Sequence, residues 1–420
     1  MLILYDIIYF FFVLTAIPIL IFKGKWRREL LSRFGFFPSE FMAKCQTSKV
    51  IWLHAVSVGE ILAAENLIQK MSGALPGYHL VLTTVTNTGF DLARQRFVPM
   101  GIAVIYAPLD FRFVVKKYIN AIGPKMYITA ETEIWPNLFR ALQKQQVPIV
   151  QVNGRISEAA FQKYQRVKFL FKNVLKAVSV FCMQSSFDAD RIKTLGAVAD
   201  KIRIVGNMKF DQLVPEKIVH RSDFGYSDQE LIWVAGSTHP GEERIVLNIY
   251  RHLKSEFSNL RLILAPRHVE RVDEISRLLS TFVLPNVRYS QWFDRGIGGS
   301  DVLLVDTIGE LRSLYQIADL VFVGKSIIGK GGQNVIEPAA YGKPVLVGPH
   351  VENFRQIVQI FLDAEAMVQV KDEEGLLEQM GFWLRNLESA RAVGQRARDV
   401  VLSNQGATQR TLEEIKHLLN

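Results

Sequence analysis

Three acidic residues and one lysine in the first half of the chain follow predicted strands, where side chains often act on a ligand. Glu60 follows the first strand, Glu131 and Glu133 follow a later one, and Lys209 follows the last strand of this half. A carboxylate at such a junction either accepts hydrogen bonds at the start of the next helix or acts as a general base. On these residues alone, both interpretations stay open for Glu60.

The second half of the chain offers groups suited to binding an anion. Residues 236–239 follow a strand and open a helix, and Arg267 places a fixed positive charge at the end of another strand. The glycine-rich residues 329–334 run into a further helix, where Glu337 could accept hydrogen bonds from ribose hydroxyls. Helix-start N–H groups and guanidinium groups bind phosphate. Together these features favour a nucleotide site.

These junctions belong to two halves in which short β-branched runs alternate with helical patterns. The predicted strands are residues 50–56, 79–84, 103–106, 126–130, 148–152, 178–183 and 202–205 in the first half, and 231–235, 261–265, 302–305, 320–323 and 344–347 in the second. The alternation predicts two Rossmann-like, doubly wound α/β domains, at residues 23–211 and 226–420. Ligands bind such sheets at the carboxyl ends of the strands, so we expect the domains to face a cleft.

Several well-known signatures fail on inspection. Residues 324–326 resemble the end of a phosphate-binding loop, but Asp319 stands where that loop requires glycine. Asp188 and Asp190 have the spacing of a sugar-transferase metal site, yet they fit the acidic first turn of a helix better. Cys45 and Cys182 have no Cys or His neighbour at metal-ligand spacing. We therefore expect no metal site and no disulfide framework.

The charge balance indicates an anionic partner. The 420 residues include 50 Lys and Arg against 41 Asp and Glu, a net charge of +9. That surplus suits an anionic small molecule, an anionic membrane or a nucleic acid. Nucleic acid is disfavoured, because most basic residues are interspersed with acidic ones and no recognised binding module occurs.

Residues 1–22 are almost wholly apolar and predict a membrane anchor helix, with a buried core helix as the alternative. A helix of this length reaches about 33 Å, enough for the hydrocarbon layer, with Asp6 among the headgroups. A basic cluster at residues 23–28 follows, so the positive-inside rule keeps the rest of the chain on the cytoplasmic side of the membrane. The aromatic stretch beyond it is expected to contact membrane lipids through Phe34, Phe36, Phe37, Phe41 and Met42.

The order of motifs resembles the 3-deoxy-D-manno-octulosonic acid (Kdo) transferase family over nearly the whole chain. The matching motifs are WLHAVSVGE (52–60), ETEIWPN (131–137), NGR (153–155), GNMKFD (206–211), AGSTH (235–239), APRH (265–268), GQN (332–334) and EPAA (337–340). The resemblance implies a GT-B fold, in which the first domain receives the acceptor and the second holds the nucleotide sugar. It also implies inverting transfer of Kdo from CMP-Kdo to the lipid A precursor lipid IVA in lipopolysaccharide biosynthesis, with no metal and no cofactor.

The resemblance also assigns roles to individual residues. Glu60 corresponds to the general base, and Glu131 and Lys209 correspond to residues that stabilise the transition state. The CMP-binding pattern falls on Pro266, Arg267, Gly309, Glu310, Leu311, Asn334, Val335, Ile336 and Glu337. An ordinary glutamate is already ionised at neutral pH, so we expect no unusual pKa at Glu60.

Two other functions remain to be tested against this one. Another GT-B enzyme, such as a sugar-nucleotide epimerase, would prefer uridine nucleotides. A non-catalytic anchored protein that binds lipopolysaccharide would release no CMP from a mixture of donor and acceptor.

Overall fold

The chain folds into two compact α/β units. The computed structural model describes residues 2–22, 30–211, 218–295 and 299–419. The first unit comprises Met1–Gln212 and Gln405–Asn420, and the second comprises Leu213–Asn404. This division differs from the predicted domains at the carboxyl terminus, because the last helix belongs to the first unit and not to the second.

The first unit is built on a seven-stranded parallel sheet. Its strands are β1 (Lys49–His54), β2 (Tyr78–Thr84), β3 (Ala103–Tyr106), β4 (Pro124–Ala130), β5 (Ile149–Gly154), β6 (Val180–Met183) and β7 (Ile202–Ile204). They lie in the order β3-β2-β1-β4-β5-β6-β7. Its first ten helices are α1 (Leu2–Phe22), α2 (Leu30–Arg33), α3 (Ser39–Gln46), α4 (Val58–Ala74), α5 (Asn87–Phe97), α6 (Arg112–Ile122), α7 (Pro136–Lys144), α8 (Glu158–Arg166), α9 (Lys168–Leu175) and α10 (Ser186–Leu195). Helices cover both faces of the sheet, which is why its strands read as continuous apolar runs.

The second unit repeats this architecture. Its strands are β8 (Leu231–Thr238), β9 (Leu260–Pro266), β10 (Asn286–Arg288), β11 (Val302–Leu304), β12 (Leu320–Val323), β13 (Val345–Val347) and β14 (Val368–Gln369). All are parallel, in the order β10-β11-β9-β8-β12-β13-β14. Its helices are α11 (Glu242–Glu256), α12 (Val272–Phe282), α13 (Tyr289–Arg295), α14 (Leu311–Ile317), α15 (Ile336–Ala340), α16 (Arg355–Asp363), α17 (Glu373–Arg385) and α18 (Leu387–Asn404). The predicted α/β class with two parallel sheets is confirmed.

Short 3-10 helices connect several of these elements. They are Val98–Met100, Ala199–Lys201 and Met208–Asp211 in the first unit, and Arg221–Phe224 and Val269–Arg271 in the second.

The last helix, α19 (Ala407–Leu419), returns to the first unit. Leu412 and Ile415 are buried in the same hydrophobic core as Leu67 of α4. The Asp211 carboxylate accepts hydrogen bonds from the Gly406 backbone N–H at 2.7 Å and from an N–H in the first turn of α19 at 2.5 Å. Apolar burial and this cap explain why the helix packs there.

Helix α1 is held against the first unit through polar contacts near its start. The Tyr5 hydroxyl donates to Asp110 Oδ2 at 2.8 Å. Asp6 pairs with Arg112 at 2.7 Å and accepts a hydrogen bond from Asn137 Nδ2 at 2.7 Å. Asp6 thus has an ion-pair partner within the protein, and its expected place among lipid headgroups stays a prediction.

The predicted anchor receives no support as a membrane-spanning helix. Among the residues that the structure describes, no helix is both long enough and apolar enough to cross a bilayer. The alternative of a buried core helix is wrong, because six apolar side chains of α1 are 49–63% exposed: Ile7, Ile8, Phe10, Phe11, Phe12 and Leu14. The basic cluster at residues 23–28 lies outside the described residues.

Most of the aromatic stretch after α1 packs inward. Phe34, Phe37 and Phe41 contact the hydrophobic core of the first unit, and the Phe37 ring meets Tyr118 edge to face at 4.7 Å. Phe36 is exposed, although the Lys117 ammonium lies 4.3 Å from the centre of its ring. The expected lipid contacts of Phe34, Phe37 and Phe41 are therefore replaced by core contacts.

Each sheet has one point at which the order of strands reverses direction. In the first unit it lies between β1 and β4, and in the second between β8 and β12. The loops that leave adjacent strands at this point diverge to opposite faces of the sheet and leave a crevice at their carboxyl ends. Both candidate sites lie at these crevices.

Candidate active site

Glu60 lies at the reversal point of the first sheet, in the first turn of α4, the helix that follows β1. Its carboxylate accepts a hydrogen bond from the Val56 backbone N–H at 2.7 Å and from the Ser57 hydroxyl at 3.2 Å. Ser57 is the N-cap residue of α4. Glu60 therefore does stabilise the strand-to-helix turn, and these contacts also fix its carboxylate at the edge of the sheet.

The pKa of Glu60 is not that of an ordinary glutamate. The pKa of Glu60 is raised to about 7, mainly by burial and also by the Glu131 charge, although the Val56 N–H, the Ser57 hydroxyl and the Arg155 charge lower it. The expectation of an unperturbed pKa is therefore wrong. A carboxylate with a pKa near 7 is well matched to general-base chemistry at neutral pH, because it is partly ionised and still basic.

Glu131 follows β4, the neighbour of β1. Its backbone is left-handed, with φ of +51°, and its N–H donates to Val152 O of β5 at 2.9 Å. The Glu131 carboxylate pairs with Arg155 Nε at 3.5 Å. This left-handed turn, which is costly for a residue with a side chain, directs Glu131 out of the strand at the crevice.

Glu133 is a third carboxyl group in the same place. Burial and the charges of Glu60 and Glu131 raise the pKa of Glu133 to about 8. Glu133 therefore carries its proton at neutral pH, which removes one negative charge from the cluster. The sequence identified Glu133 as an acid at this junction without giving it a role.

Lys209 brings a positive charge to these carboxylates. It lies in the 3-10 turn after β7, where Asn153 Oδ1 accepts the Met208 N–H at 3.1 Å. Burial lowers the pKa of Lys209, while the charges of Glu131 and Glu60 raise it. The structure thus brings together all three residues predicted as catalytic. It adds Arg155, which sequence reasoning placed in a motif but not in the site.

In the second unit, Pro266 ends β9 and Arg267 follows it. The Arg267 N–H donates to Thr238 O at the end of β8 at 3.0 Å, and its side chain is exposed. The pKa of His239 is lowered by burial, then by the charges of Lys325 and His268, and also by Arg267. Lys325 and Arg267 thus place positive charges near His239 at the end of β8, opposed by the charge of Glu243.

The predicted residues 309–311 form the start of α14. Gly309 has φ of +108°, a left-handed conformation that favours glycine. Glu310 accepts a hydrogen bond from the Tyr289 hydroxyl at 2.9 Å, and burial together with Glu310 raises the pKa of Tyr289 to about 12. Leu311 begins the helix and is partly buried.

The predicted residues 334–337 span the start of α15: Asn334 and Val335 precede the helix, and Ile336 and Glu337 lie in its first turn. Asn334 Oδ1 accepts the Ile336 N–H at 3.1 Å, and Asn334 Nδ2 donates to Glu337 Oε1 at 3.2 Å. Glu337 also lies 3.6 Å from the Arg312 guanidinium. The side chains of Val335 and Ile336 are buried, so only their backbone groups can contact a ligand. The helix begins at Ile336 and not at Asn334.

Residues 236–239 do not form the open helix start that the sequence predicted. β8 continues to Thr238, α11 begins only at Glu242, and the His239 N–H donates to Glu242 Oε2 at 2.9 Å. The neighbouring Glu243 pairs with Arg271 at 2.8 Å. Sequence reasoning missed both buried acids. Two successive glutamates after a glycine, at the start of an amphipathic helix, were the available signal.

The structure also bears on the rejected metal motif. Asp188 accepts the Ile156 N–H at 2.8 Å, and the Ser185 hydroxyl accepts the Asp188 N–H at 3.2 Å as the cap of α10. The interpretation of this segment as a helix start is confirmed. Within the described residues, no group of three or more His, Cys, Asp or Glu side chains is placed to hold a metal ion. Cys45 and Cys182 are buried free thiols.

Two parallel-sheet α/β units, each with charged groups at the carboxyl edge of its sheet, define a GT-B-like fold. A UDP-GlcNAc 2-epimerase structure from Neisseria meningitidis is similar, with a TM-score of 0.61 and 11% identity over 88% of this chain and 100% of that one. A glycosyltransferase structure from Rickettsia africae has a TM-score of 0.56 and 14% identity over 89% and 99% of the two chains. At these identities the likeness shows the fold alone.

Relatives in sequence identify the family. The family model for 3-Deoxy-D-manno-octulosonic-acid transferase (kdotransferase) matches residues 28–212. A 3-deoxy-D-manno-octulosonic acid transferase of Haemophilus influenzae is 33% identical over 97% of this chain and 95% of that protein. A bifunctional glycosyltransferase/methyltransferase of Fusobacterium nucleatum is 34% identical over 86% of this chain and 57% of that protein. The chain belongs to the Kdo transferase family and is a glycosyltransferase, which confirms the resemblance found in the motifs.

Proposed function

We propose that this protein transfers Kdo from CMP-Kdo to the lipid A precursor lipid IVA in lipopolysaccharide biosynthesis, with inversion at the anomeric carbon and without a metal. Membership of the Kdo transferase family supports the donor and the acceptor class. The observation that carries the mechanism is the cluster at the first crevice, where Glu60 has a pKa of about 7 and is accompanied by Glu131 and Lys209.

In this mechanism Glu60 acts as the general base. Its carboxylate takes the proton from the acceptor hydroxyl while that oxygen forms a bond to the anomeric carbon of Kdo. The bond between this carbon and the phosphate oxygen of CMP breaks, and CMP leaves with the electron pair. Attack from the face opposite to the leaving group inverts the anomeric centre.

The surrounding charges suit this reaction. Negative charge develops on the departing phosphate, and fixed cations and backbone dipoles in a protein site stabilise such charge effectively. Arg267 directly after β9 and the backbone N–H groups of Asn334 and Val335 are the proposed phosphate contacts in the second unit, since the Ile336 N–H already donates to Asn334 Oδ1. Lys209 is proposed to stabilise the transition state, as its proximity to Glu60 and Glu131 allows.

The proposed acceptor is a lipid, so we also propose that the protein works at the cytoplasmic face of the inner membrane, attached through α1. The exposed apolar side chains of α1 support contact with membrane lipids. Fractionation of cells tests this. A single-pass anchor predicts release by detergent only, surface binding predicts release by alkaline carbonate, and recovery in the soluble fraction without either treatment would contradict the proposal.

Incubation of purified protein with CMP-Kdo and lipid IVA tests the reaction. Mass spectrometry should show one or more added Kdo units together with free CMP, and NMR of the product should show inversion at the anomeric carbon. Absence of CMP release would favour a non-catalytic lipopolysaccharide-binding protein. Tighter binding of uridine than of cytidine nucleotides would favour an epimerase or another GT-B enzyme.

A further inference from the structure

A buried carboxylate organises the loop that leaves β12 in the second unit. Glu242 is 1% exposed. Its Oε2 accepts the Lys325 N–H at 2.6 Å, and its Oε1 accepts the N–H groups of Ser326 at 2.8 Å and Ile327 at 3.0 Å. With the N–H groups of His239 at 2.9 Å and Ile328 at 3.5 Å, five backbone donors thus converge on one side chain. The protein's own carboxylate fills the nest of N–H groups that a phosphate occupies in other proteins.

This arrangement forces the backbone of Lys325 into an uncommon conformation. Lys325 has φ of +56°, a left-handed value that a lysine adopts only when its surroundings fix it. The preceding Gly324 must be glycine, because an added Cβ would lie 2.6 Å from Thr238 Cα and 2.8 Å from Glu242 Oε2. The hydrogen bonds to Glu242 therefore determine where the Lys325 side chain begins.

The Lys325 side chain extends along the glycine-rich loop. The Gly332 N–H donates to Lys325 O at 2.9 Å, which closes the loop. A Cβ added to Gly331 would lie 3.2 Å from Lys325 Cε and 3.4 Å from its Nζ. Glu352 Oε2 accepts the Gly331 N–H at 2.7 Å, yet in the described ranges no carboxylate forms an ion pair with Lys325.

The Lys325 charge also faces the end of β8. Its proximity lowers the pKa of His239, after the larger effect of burial. His239 Nε2 lies 3.2 Å from Gln333 Nε2 in the glycine-rich loop. Lys325 is thus an ammonium group at the reversal point between β8 and β12, where a ligand is expected, and it has no counter-ion among the residues that the structure describes.

We propose that Lys325 binds the phosphate of the nucleotide donor and that Glu242 is the positioning residue that holds Lys325 there. This inference rests on the proposed function, because it assumes that a nucleotide occupies the second unit. It explains why the chain buries a carboxylate beneath a lysine-bearing loop: the carboxylate satisfies the loop N–H groups and leaves the ammonium free for a second anion.

The test compares calorimetric binding of CMP and of cytidine, which lacks the phosphate, to the full-length protein. Lys325→Met should weaken CMP binding about tenfold, as expected for loss of a charge-assisted hydrogen bond, and leave cytidine binding unchanged. Lys371→Met removes an exposed lysine of the same unit and should leave both affinities unchanged. Equal CMP affinity of Lys325→Met and the unaltered protein, or an equal loss in Lys371→Met, would overturn the proposal.

Glu242→Gln tests the positioning role. A glutamine can accept through one oxygen only, so the loop should loosen and CMP affinity should fall as in Lys325→Met, with no further loss in the double variant. Glu243→Gln is the matched control, since Glu243 is equally buried but binds Arg271 instead of the loop. It should lower the melting temperature and retain CMP affinity. Additive losses in the double variant, or weakened CMP binding in Glu243→Gln, would contradict a specific role for Glu242.

These results are separable from those on the proposed function. If the protein bound CMP but transferred no Kdo, the proposed reaction would be wrong, and the comparison of CMP with cytidine would still decide the role of Lys325. If uridine nucleotides bound better than cytidine nucleotides, the same comparison would be made with UMP and uridine in place of CMP and cytidine. If Lys325→Met bound CMP normally while transfer proceeded, only the present inference would fail. If neither nucleotide bound, both would fail.

Discussion

Replacement of Glu60 by glutamine should slow transfer by orders of magnitude and, at alkaline pH, stabilise the protein. The side chain keeps its shape but loses the ability to accept a proton, so kcat/KM should fall about 10²- to 10⁴-fold. In the unaltered enzyme, kcat/KM should fall about tenfold per pH unit below the pKa of Glu60, which is about 7. At pH 6 only about one tenth of the molecules would carry the ionised base.

The expected gain in stability follows from the cost of ionising Glu60 in the folded state. The rise of its pKa from 4.5 to about 7 corresponds to about 3 kcal/mol. Because the folded pKa is the higher one, the contribution of Glu60 to stability is fully present below about pH 4.5 and is lost as the pH rises through about 7. The glutamine variant avoids this loss above neutral pH.

Part of the gain is offset by hydrogen bonding. Val56 N–H and the Ser57 hydroxyl donate to two different oxygens of Glu60, and glutamine has only one. One donor would then face an amide group, which costs about 1–3 kcal/mol. The net gain at pH 8 is about 1 kcal/mol, or a melting temperature higher by about 2–4 °C. At pH 5 the gain should disappear.

The assays are product formation by mass spectrometry and thermal unfolding at pH 5 and pH 8. Glu65→Gln is the control, because Glu65 lies in the same helix α4 but pairs with Arg96. It should retain turnover and show no such change with pH. Turnover by the Glu60 variant close to that of the unaltered enzyme would refute the base assignment. The stability of the variant minus that of the unaltered protein should be larger at pH 8 than at pH 5. A smaller difference at pH 8 would refute the argument from charge burial.

Three further changes test the contacts around the site. Arg155→Met removes a charge that lowers the pKa of Glu60, so the acid limb of the pH–rate profile should move to higher pH. Arg155→Lys keeps the charge and should leave the acid limb where it is. Movement of the acid limb to lower pH in Arg155→Met would contradict the assigned effect of Arg155. Asn153→Ala leaves the buried Met208 N–H without its acceptor and should cost about 1–3 kcal/mol in urea unfolding, with slower turnover because the lysine-bearing turn loosens. Asp211→Asn should weaken the cap of α19 by about 1 kcal/mol, measured as a lower melting temperature; an unchanged melting temperature would show that apolar packing alone holds this helix.

Hydrophobic periodicity predicted most of the strands but missed short ones at the edges of the second sheet. Runs such as residues 103–106 and 320–323 coincide with β3 and β12, because β-branched and apolar residues mark strands buried in parallel sheets. β10 and β14 were not predicted. They contain three and two residues and lie at the two edges of the second sheet, where so short a pattern cannot be distinguished from a loop.

The positions of the site residues could be predicted from the sequence, whereas their chemistry could not. Glu60, Glu131 and Lys209 could be found because each follows a strand, and parallel strands deliver such residues to one edge of the sheet. Their protonation could not be found in this way. The high pKa values of Glu60 and Glu133 result from burial and from the other carboxylates nearby, which are properties of the folded surroundings.

The sequence by itself determined the two parallel α/β halves, the junctions that carry the acids and the basic groups, and the family. Only the tertiary structure decided that α19 belongs to the first unit, that Asp6 pairs with Arg112, and that Glu242 holds the loop of Lys325. The physical reason is separation along the chain. Glu242 and Lys325 are 83 residues apart, and a pattern read over one helix or strand contains no information about partners that meet only when the sheet forms.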